Sequence, residues 1–240
     1  MSAGAGNGKG WSKGLTAPTD ARVARAAQAN RGQRRGPYRK RDGVAAGDCP
    51  VLPIAQNNYG AYGYLLGMYL GDGYLATCPR TLDLRVFLDS SQPSVIESCE
   101  EAMRRVNPFH PIGKVIRPPS VTIVRAYGRC WLSLFPQHGP GRKHTRLIAL
   151  EPWQTNIVTA EPFSFLAGLL HSDGSRFVRT VGGKPYPAYN FFNHSTDILD
   201  LFCWACDLAG VHYTRPGRHQ VSIARRADVA VLDSRIGPKN

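Results

Sequence analysis

Asp72 and Asp173 stand 101 residues apart, and each is followed by glycine and preceded by an apolar run of helix length. The first run is Leu65-Leu66-Gly67-Met68-Tyr69-Leu70-Gly71, and the second is Leu166-Ala167-Gly168-Leu169-Leu170-His171-Ser172. A single Asp-Gly past a helix is an ordinary helix stop. Two such acids are a different matter. An acid at a helix C-terminus faces the negative end of the macrodipole, and two carboxylates brought together repel and hold on to protons. A divalent cation between them removes both penalties. Oxygen ligands suit Mg²⁺ or a similar hard cation, and such an ion beside a phosphodiester activates water and stabilises the leaving oxygen.

The elements that must position these acids are the runs themselves. Small residues recur on one stripe of each: Gly60, Gly63 (or Tyr64), Gly67 and Gly71 in the first, Ser164, Gly168 and Ser172 in the second. Residues four apart share a helical face, so the stripes let two helix backbones approach closely. Gly67 and Gly168 are the expected points of contact. Packed this way, the helices deliver Asp72 and Asp173 to the same end.

The remainder of the chain reads as a duplication. In the first half, alternation over Thr81–Leu88 predicts a half-buried strand, and Ser94–Val106 an amphipathic helix ending at Asn107-Pro108. Val121–Tyr127 and Cys130–Phe135 are expected as a hairpin turning at Gly128-Arg129, with a short helix over 147–156. In the second half, Pro162 opens the motif helix, 187–193 offers a strand, and Ser195-Thr196-Asp197 caps a helix stopped by Gly210. A hairpin around Pro216-Gly217 and a segment from Asp228 to Ile236 close the chain. Val121-Thr-Ile-Val-Arg125 aligns with Val221-Ser-Ile-Ala-Arg225. The expected class is α+β, each half helix–strands–helix–strands, with half-domains over 59–158 and 159–240.

Residues 1–50 are different. They hold ten basic residues against three acidic ones and almost no large apolar side chains, so no core can form there. Arg34, Arg35, Arg39, Lys40 and Arg41 make a polybasic arm suited to sequence-independent phosphate contacts, or a solvated tail. The stretch from Trp11 to Arg31 loosely resembles small DNA-binding modules appended to intron-associated nucleases. The whole chain carries a formal charge of +13 and a pI near 9.8, which points to a polyanionic partner, nucleic acid first. No apolar run approaches the roughly 20 residues of a membrane span, and no signal core begins the chain, so an intracellular, non-secreted protein is expected. Cys203-Trp-Ala-Cys206 has metal-ligand spacing but lies on an amphipathic stretch without a second pair, which favours buried structural thiols.

The two nonapeptides resemble the LAGLIDADG motif of homing endonucleases in its single-chain, two-motif form. The second copy, Leu166-Ala-Gly-Leu-Leu-His-Ser-Asp-Gly174, is close to the consensus; the first is a variant, and Leu70 and His171 occupy the consensus's earlier acid position. The resemblance implies αββαββα half-domains related by a pseudo-twofold axis, with two antiparallel sheets forming a saddle over double-stranded DNA. It also implies that Asp72 and Asp173 bind metal, helped by the backbone carbonyls of Gly71 and Ser172, and that a monomer makes a staggered double-strand break. The basic residue the family places near its acids is matched to Lys143 in the first half and to Arg225 or Arg226 in the second; a solvated loop or a phosphate-positioning, DNA-binding role stays open for all three. Arg85, Asn190 and Arg125 are candidates for the DNA-facing strands. Two alternatives stay open: a non-cleaving DNA-binding regulator, and a maturase that holds intron RNA. An HNH-type nuclease built on His138, His144 and His194 lacks the required spacing.

Overall fold

The computed structural model describes residues 49, 51–78, 81–237 and 239, together with the isolated position 21, an exposed helical alanine. The chain divides into two compact units, Met1–Ala46 and Gly47–Asn240. Everything below concerns the second. The basic arm at Arg34, Arg35, Arg39, Lys40 and Arg41 lies outside the described residues.

The second unit repeats one path twice. Helix α1 (Tyr59–Leu70) leads into β1 (Gly73–Cys78), β2 (Thr81–Asp89), α2 (Pro93–Val106), β3 (Ile112–Arg117) and β4 (Val121–Tyr127). Two connecting helices follow, α3 (Cys130–Leu134) and α4 (Pro152–Ala160). Helix α5 (Pro162–Asp173) then opens the second copy, with β5 (Gly174–Val181), β6 (Lys184–Phe192), α6 (Thr196–Leu208), β7 (Thr214–Gly217), β8 (Gln220–Ile223) and α7 (Arg226–Ile236). The strand orders are the same, β1-β2-β4-β3 and β5-β6-β8-β7, and every pairing is antiparallel. Each sheet buries one face against its helices: Leu84, Val86 and Leu88 in the first, Tyr189 and Phe191 in the second, the latter stacked on Phe202 of α6 at 4.4 Å.

Helices α1 and α5 pack along their small-residue stripes at the centre of the core. A β-carbon on Gly168 would lie 2.1 Å from the Tyr64 carbonyl oxygen, and one on Gly67 would lie 2.6 Å from that of Phe165. No side chain survives there, so only glycine permits the approach. The glycines after the acids act otherwise than as helix stops. A β-carbon on Gly73 or Gly174 would collide with the backbone of Tyr69 or Leu170, at 2.4 and 2.6 Å. Neither has a positive φ. They let the strand leave tight against the last turn of its own helix.

Three sequence expectations need correction. Cys130–Phe135 is not the second arm of a hairpin: Cys130–Leu134 is helical, and β4 pairs with Ile112–Arg117 instead. The apolar residues Trp131, Leu134 and Phe135 are all buried at i, i+3, i+4, and the Trp131 indole donates to the Ala126 carbonyl at 2.9 Å. Helical spacing prevailed over an alternation that fitted the same letters. The helix expected over 147–156 begins at Pro152, where Glu151 and Gln154 form a capping box. Finally, the alignment of Val121 with Val221 is out by three. Val86 pairs with Val124 and Phe191 with Val221, and both pairs lie two strands in from the motif glycines, so Val221 answers Val124. An odd slip turns every side chain to the other face.

Candidate metal and nucleic-acid site

The two acids reach the same end of the α1–α5 pair because both follow the last turn of helices in contact. Asp173 lies close to the opposing helix: a β-carbon on Gly71 would stand 3.1 Å from its Oδ2. Burial pushes the Asp72 carboxyl up to about 6, with the charge of Asp173 adding to the effect. Asp173 is also raised by burial, but the Asn193 side-chain amide donates to its Oδ2 at 2.7 Å and offsets part of the rise. At the level of charge, this is a pocket that asks for cations.

Two lysines supply part of that charge. Lys143 Nζ donates to the carbonyls of Tyr69 at 2.5 Å and Gly71 at 2.7 Å. Lys239 Nζ donates to the carbonyls of Leu170 at 3.3 Å, Ser172 at 3.1 Å and Gly174 at 2.6 Å. Tyr69 and Leu170, and likewise Gly71 and Ser172, are the same positions of the two copies. Each lysine therefore caps the carbonyl end of its own motif helix, where the macrodipole favours a cation. Burial pushes Lys143 down to about 8 although both acids pull it upward, and Lys239 is lowered for the same reason.

Lys143 thus lies close enough to both acids to feel their charge. Arg225 does not approach the acids. It precedes α7 as an N-cap residue, exposed, with Nε 3.7 Å from Asp228. Arg226 is exposed too, its guanidinium 6.0 Å from the Tyr186 ring. The second basic residue is Lys239, which sequence reasoning missed. A signal existed: Gly141-Arg142-Lys143 is matched by Gly237-Pro238-Lys239, and both glycines are left-handed, with φ of 77° and 80°. The left-handed turn, which glycine accepts without strain, swings each lysine back to its helix.

The carbonyls of Gly71 and Ser172, expected to assist a metal, accept lysine hydrogen bonds. Among the described residues no group of three or more His, Cys, Asp or Glu side chains could hold a metal ion. The site therefore offers two carboxylates with neighbouring carbonyl oxygens. That donor set fits Mg²⁺, which keeps several waters and takes one or two protein carboxylates together with phosphate oxygens.

The histidines sort differently. His171 is a buried interface residue whose Nδ1 lies 3.0 Å from the Tyr64 hydroxyl, and burial pushes it down to about 4, so it is neutral. His144, His194 and His219 form a ring cluster with centroids 5.8 and 5.0 Å apart, and His138 lies against Tyr74. No ββα arrangement holds them. Cys203 and Cys206 are buried in α6.

Arg85, Arg125 and Asn190 lie on the sheet faces turned away from the helices. Arg85 pairs across with Arg125, and Asn190 with Ser222. Exposed aromatic residues Tyr74, Phe87 and Tyr127 share that face in the first sheet.

No family model and no curated protein matches this chain. Solved structures do. The homing endonuclease I-DmoI, in complex with DNA and Mn, aligns with a TM-score of 0.51 at 14% identity over 76% of this chain and 99% of its own. The N-terminal LAGLIDADG domain of DUF199/WhiA aligns with a TM-score of 0.50 at 15% identity, over 79% of this chain and 86% of its own. The duplicated α+β architecture is the LAGLIDADG fold, and at this identity the likeness extends to the fold alone.

Proposed function

We propose that the protein is a sequence-specific double-strand DNA endonuclease that works as a monomer inside the cell, with a divalent cation such as Mg²⁺ as cofactor. The observation that carries this reading is the paired set at the α1–α5 end: Asp72 with Lys143, and Asp173 with Lys239. Each copy contributes one acid and one part-buried ammonium, which is one set per DNA strand. Asp72 and Asp173 would hold the cation, which when bound supplies an activated water and charge for the leaving oxygen. Asn193 orients Oδ2 of Asp173. Each ammonium, freed from a helix carbonyl, has donors for a phosphate oxygen whose negative charge grows during cleavage. The close helix contact keeps the two acids at a fixed spacing, set by glycines rather than by mobile side chains. The charge of +13 and the exposed sheet faces support a DNA partner, and among the described residues no helix is long and apolar enough to cross a membrane.

Cleavage of a plasmid library in Mg²⁺, compared with EDTA, tests the proposal. Metal-dependent linearisation that disappears in Asp72→Asn and in Asp173→Asn is expected; undiminished cutting by both variants would refute it. A second reading, a non-cleaving DNA-binding protein, is favoured by one observation: the lysines occupy the Gly71 and Ser172 carbonyls and offset part of the acids' charge. Specific binding without cutting in any divalent metal would select it. An intron RNA partner rests on the family resemblance alone, and competition of RNA against duplex DNA tests it.

A further inference from the structure

The two lysines are held at their carbonyls by different means. Lys143 lies in the segment between α3 and α4, and both of its flanks are fastened. Arg146 donates to the Gln137 carbonyl at 3.2 Å and to that of Gly141 at 2.7 Å, and the Gln137 amide donates to the Ala149 carbonyl at 2.8 Å. The Lys143 ammonium sits 5.2 Å from the Tyr69 ring, which is buried and stacked on Phe135 at 4.3 Å. The matching residue of the second copy is Leu170, which offers no ring. Lys239 belongs to the extension beyond α7, the third residue past Ile236.

Helix α7 is seated in the core by Val229, Leu232 and Ile236, and its last turn is fixed sideways through one acid. Asp233 accepts from Arg176 Nε at 2.7 Å, from Arg176 Nη2 at 2.8 Å and from the Tyr189 hydroxyl at 2.6 Å. Arg176 and Tyr189 are register partners on β5 and β6. A lone exposed ion pair fixes little, but a guanidinium fork and a phenol converging on one carboxylate define its position. The Arg176 guanidinium also holds the Asp233 carboxyl below the usual carboxylate range, which keeps the pair charged.

This latch stands next to the lysine it would serve. Arg176 is two residues beyond Gly174, whose carbonyl accepts from Lys239 at 2.6 Å. One short piece of β5 thus receives both the latch and the ammonium. Gly174, Arg176, Tyr189, Asp233, Gly237 and Lys239 line a single open cleft of about 610 Å³, room into which the ammonium can swing once released. Water reaches the latch as well, since the Arg176 and Asp233 side chains are 40% and 37% exposed. The first copy keeps its lysine by buried packing, and the second keeps its lysine by an exposed polar clasp.

We infer that Arg176, Tyr189 and Asp233 are positioning residues for Lys239, a latch that holds the second copy's ammonium at its motif helix and makes that half of the site separable from the first. The consequence for cleavage rests on the proposed endonuclease reading: opening the latch should disable one strand's set and spare the other.

The first test needs no activity. The metal-free full chain is treated with formaldehyde and a hydride reductant, and methylation of each lysine is followed by mass spectrometry, with the exposed Lys184 as reference. In wild type, Lys143 and Lys239 should both react more slowly than Lys184. Asp233→Asn and Arg176→Gln should each speed Lys239 by about threefold to tenfold and leave Lys143 unchanged. The charge-reversed pair Arg176→Asp with Asp233→Arg should restore most of the protection. Thermal melting checks that each variant folds, and Tyr189→Phe, which keeps the ring and removes one hydrogen bond, replaces any that does not. Lys239 as protected in the variants as in wild type, or Lys143 exposed equally with it, overturns the inference.

The second test follows each strand of an end-labelled duplex recovered from the cleaved plasmid library, in Mg²⁺. Asp233→Asn should slow one strand by about tenfold and the other by less than about twofold, and the slow strand should be the one slowed by Lys239→Met. Adding Asp233→Asn to Lys239→Met should then cost little more. Equal slowing of both strands sinks the latch and leaves the endonuclease reading standing. A wild type that cuts nothing removes the endonuclease reading, and the methylation rates then decide the latch by themselves.

Discussion

The two copies share a path but not an electrostatic balance. Asp173 has the Asn193 amide on its carboxylate. The equivalent position in the first copy, two residues beyond Val86 as Asn193 is beyond Phe191, is Leu88, buried at 4% exposure and turned to the core. Among the described residues Asp72 therefore has no neutral side-chain donor. It is the acid pushed up to about 6, with Lys143 and Lys239 as its compensating charges. The sheets differ in the same sense: a charged cluster of Arg85, Asp83 and Arg125 on one, the Asn190 amide opposite the Ser222 hydroxyl on the other. A duplicated fold fixes where groups stand, and the side chains around them decide how each copy behaves.

The strongest way to break this comparison is to remove one acid at a time. Asp72→Asn and Asp173→Asn should each bring double-strand cutting below roughly one-hundredth of wild type, measured as linearised plasmid, with binding retained. Lys143→Met and Lys239→Met should each lower the cleavage rate by roughly 10- to 100-fold. Equal losses would establish the two lysines as equivalents. Arg225→Ala and Arg226→Ala should alter the rate by less than about threefold, because both are exposed and away from the acids.

In stability, Gly168→Ala should show the largest effect. Its added carbon meets backbone at 2.1 Å, and prying the motif helices apart should cost about 3 kcal/mol or more in urea unfolding. Gly63→Ala is the control: its nearest neighbour would be at 3.6 Å, so the change should stay within about 1 kcal/mol and favour the helix.

The inequality of the acids predicts a pH signature. The Asp72 carboxyl binds its proton more tightly folded, near 6, than unfolded, near 3.8. Metal-free stability should therefore fall as pH rises from about 4 to 6, by at most about 3 kcal/mol. Asp72→Asn should stabilise the metal-free protein at pH 7, and that gain should vanish below pH 4. Asp173→Asn should gain less, since Asn193 already offsets its penalty. Adding Mg²⁺ should raise the melting temperature of wild type and not of the Asp72 variant. A wild-type protein whose metal-free stability is flat between pH 4 and 7 would overturn the assignment.

Much of the site was legible in the letters. The two acids, the glycine stripes and the core helices follow from spacings of three and four, which local geometry enforces wherever the chain goes. Lys143 was matched through the family resemblance, whereas Lys239 was passed over in favour of Arg225 or Arg226, which stand just past β8. Its true partner signal was a pair of Gly-x-Lys tripeptides, a pattern short enough to be lost among 25 glycines. The short helix at Cys130 was hidden by apolar residues that satisfy both a strand and a helix.

The sequence by itself determined that the molecule is a duplication, that two acids end its central helices, and that those helices touch through glycine. Periodicity and residue size are properties of neighbours in the chain. Only the tertiary structure decided which ammonium reaches which carbonyl, that Asn193 and not Leu88 attends an acid, and that Asp83 is enclosed between two arginines. Those facts depend on strand register and on contacts between residues as much as 74 positions apart, where hydrogen-bond geometry selects one partner among many of the same type.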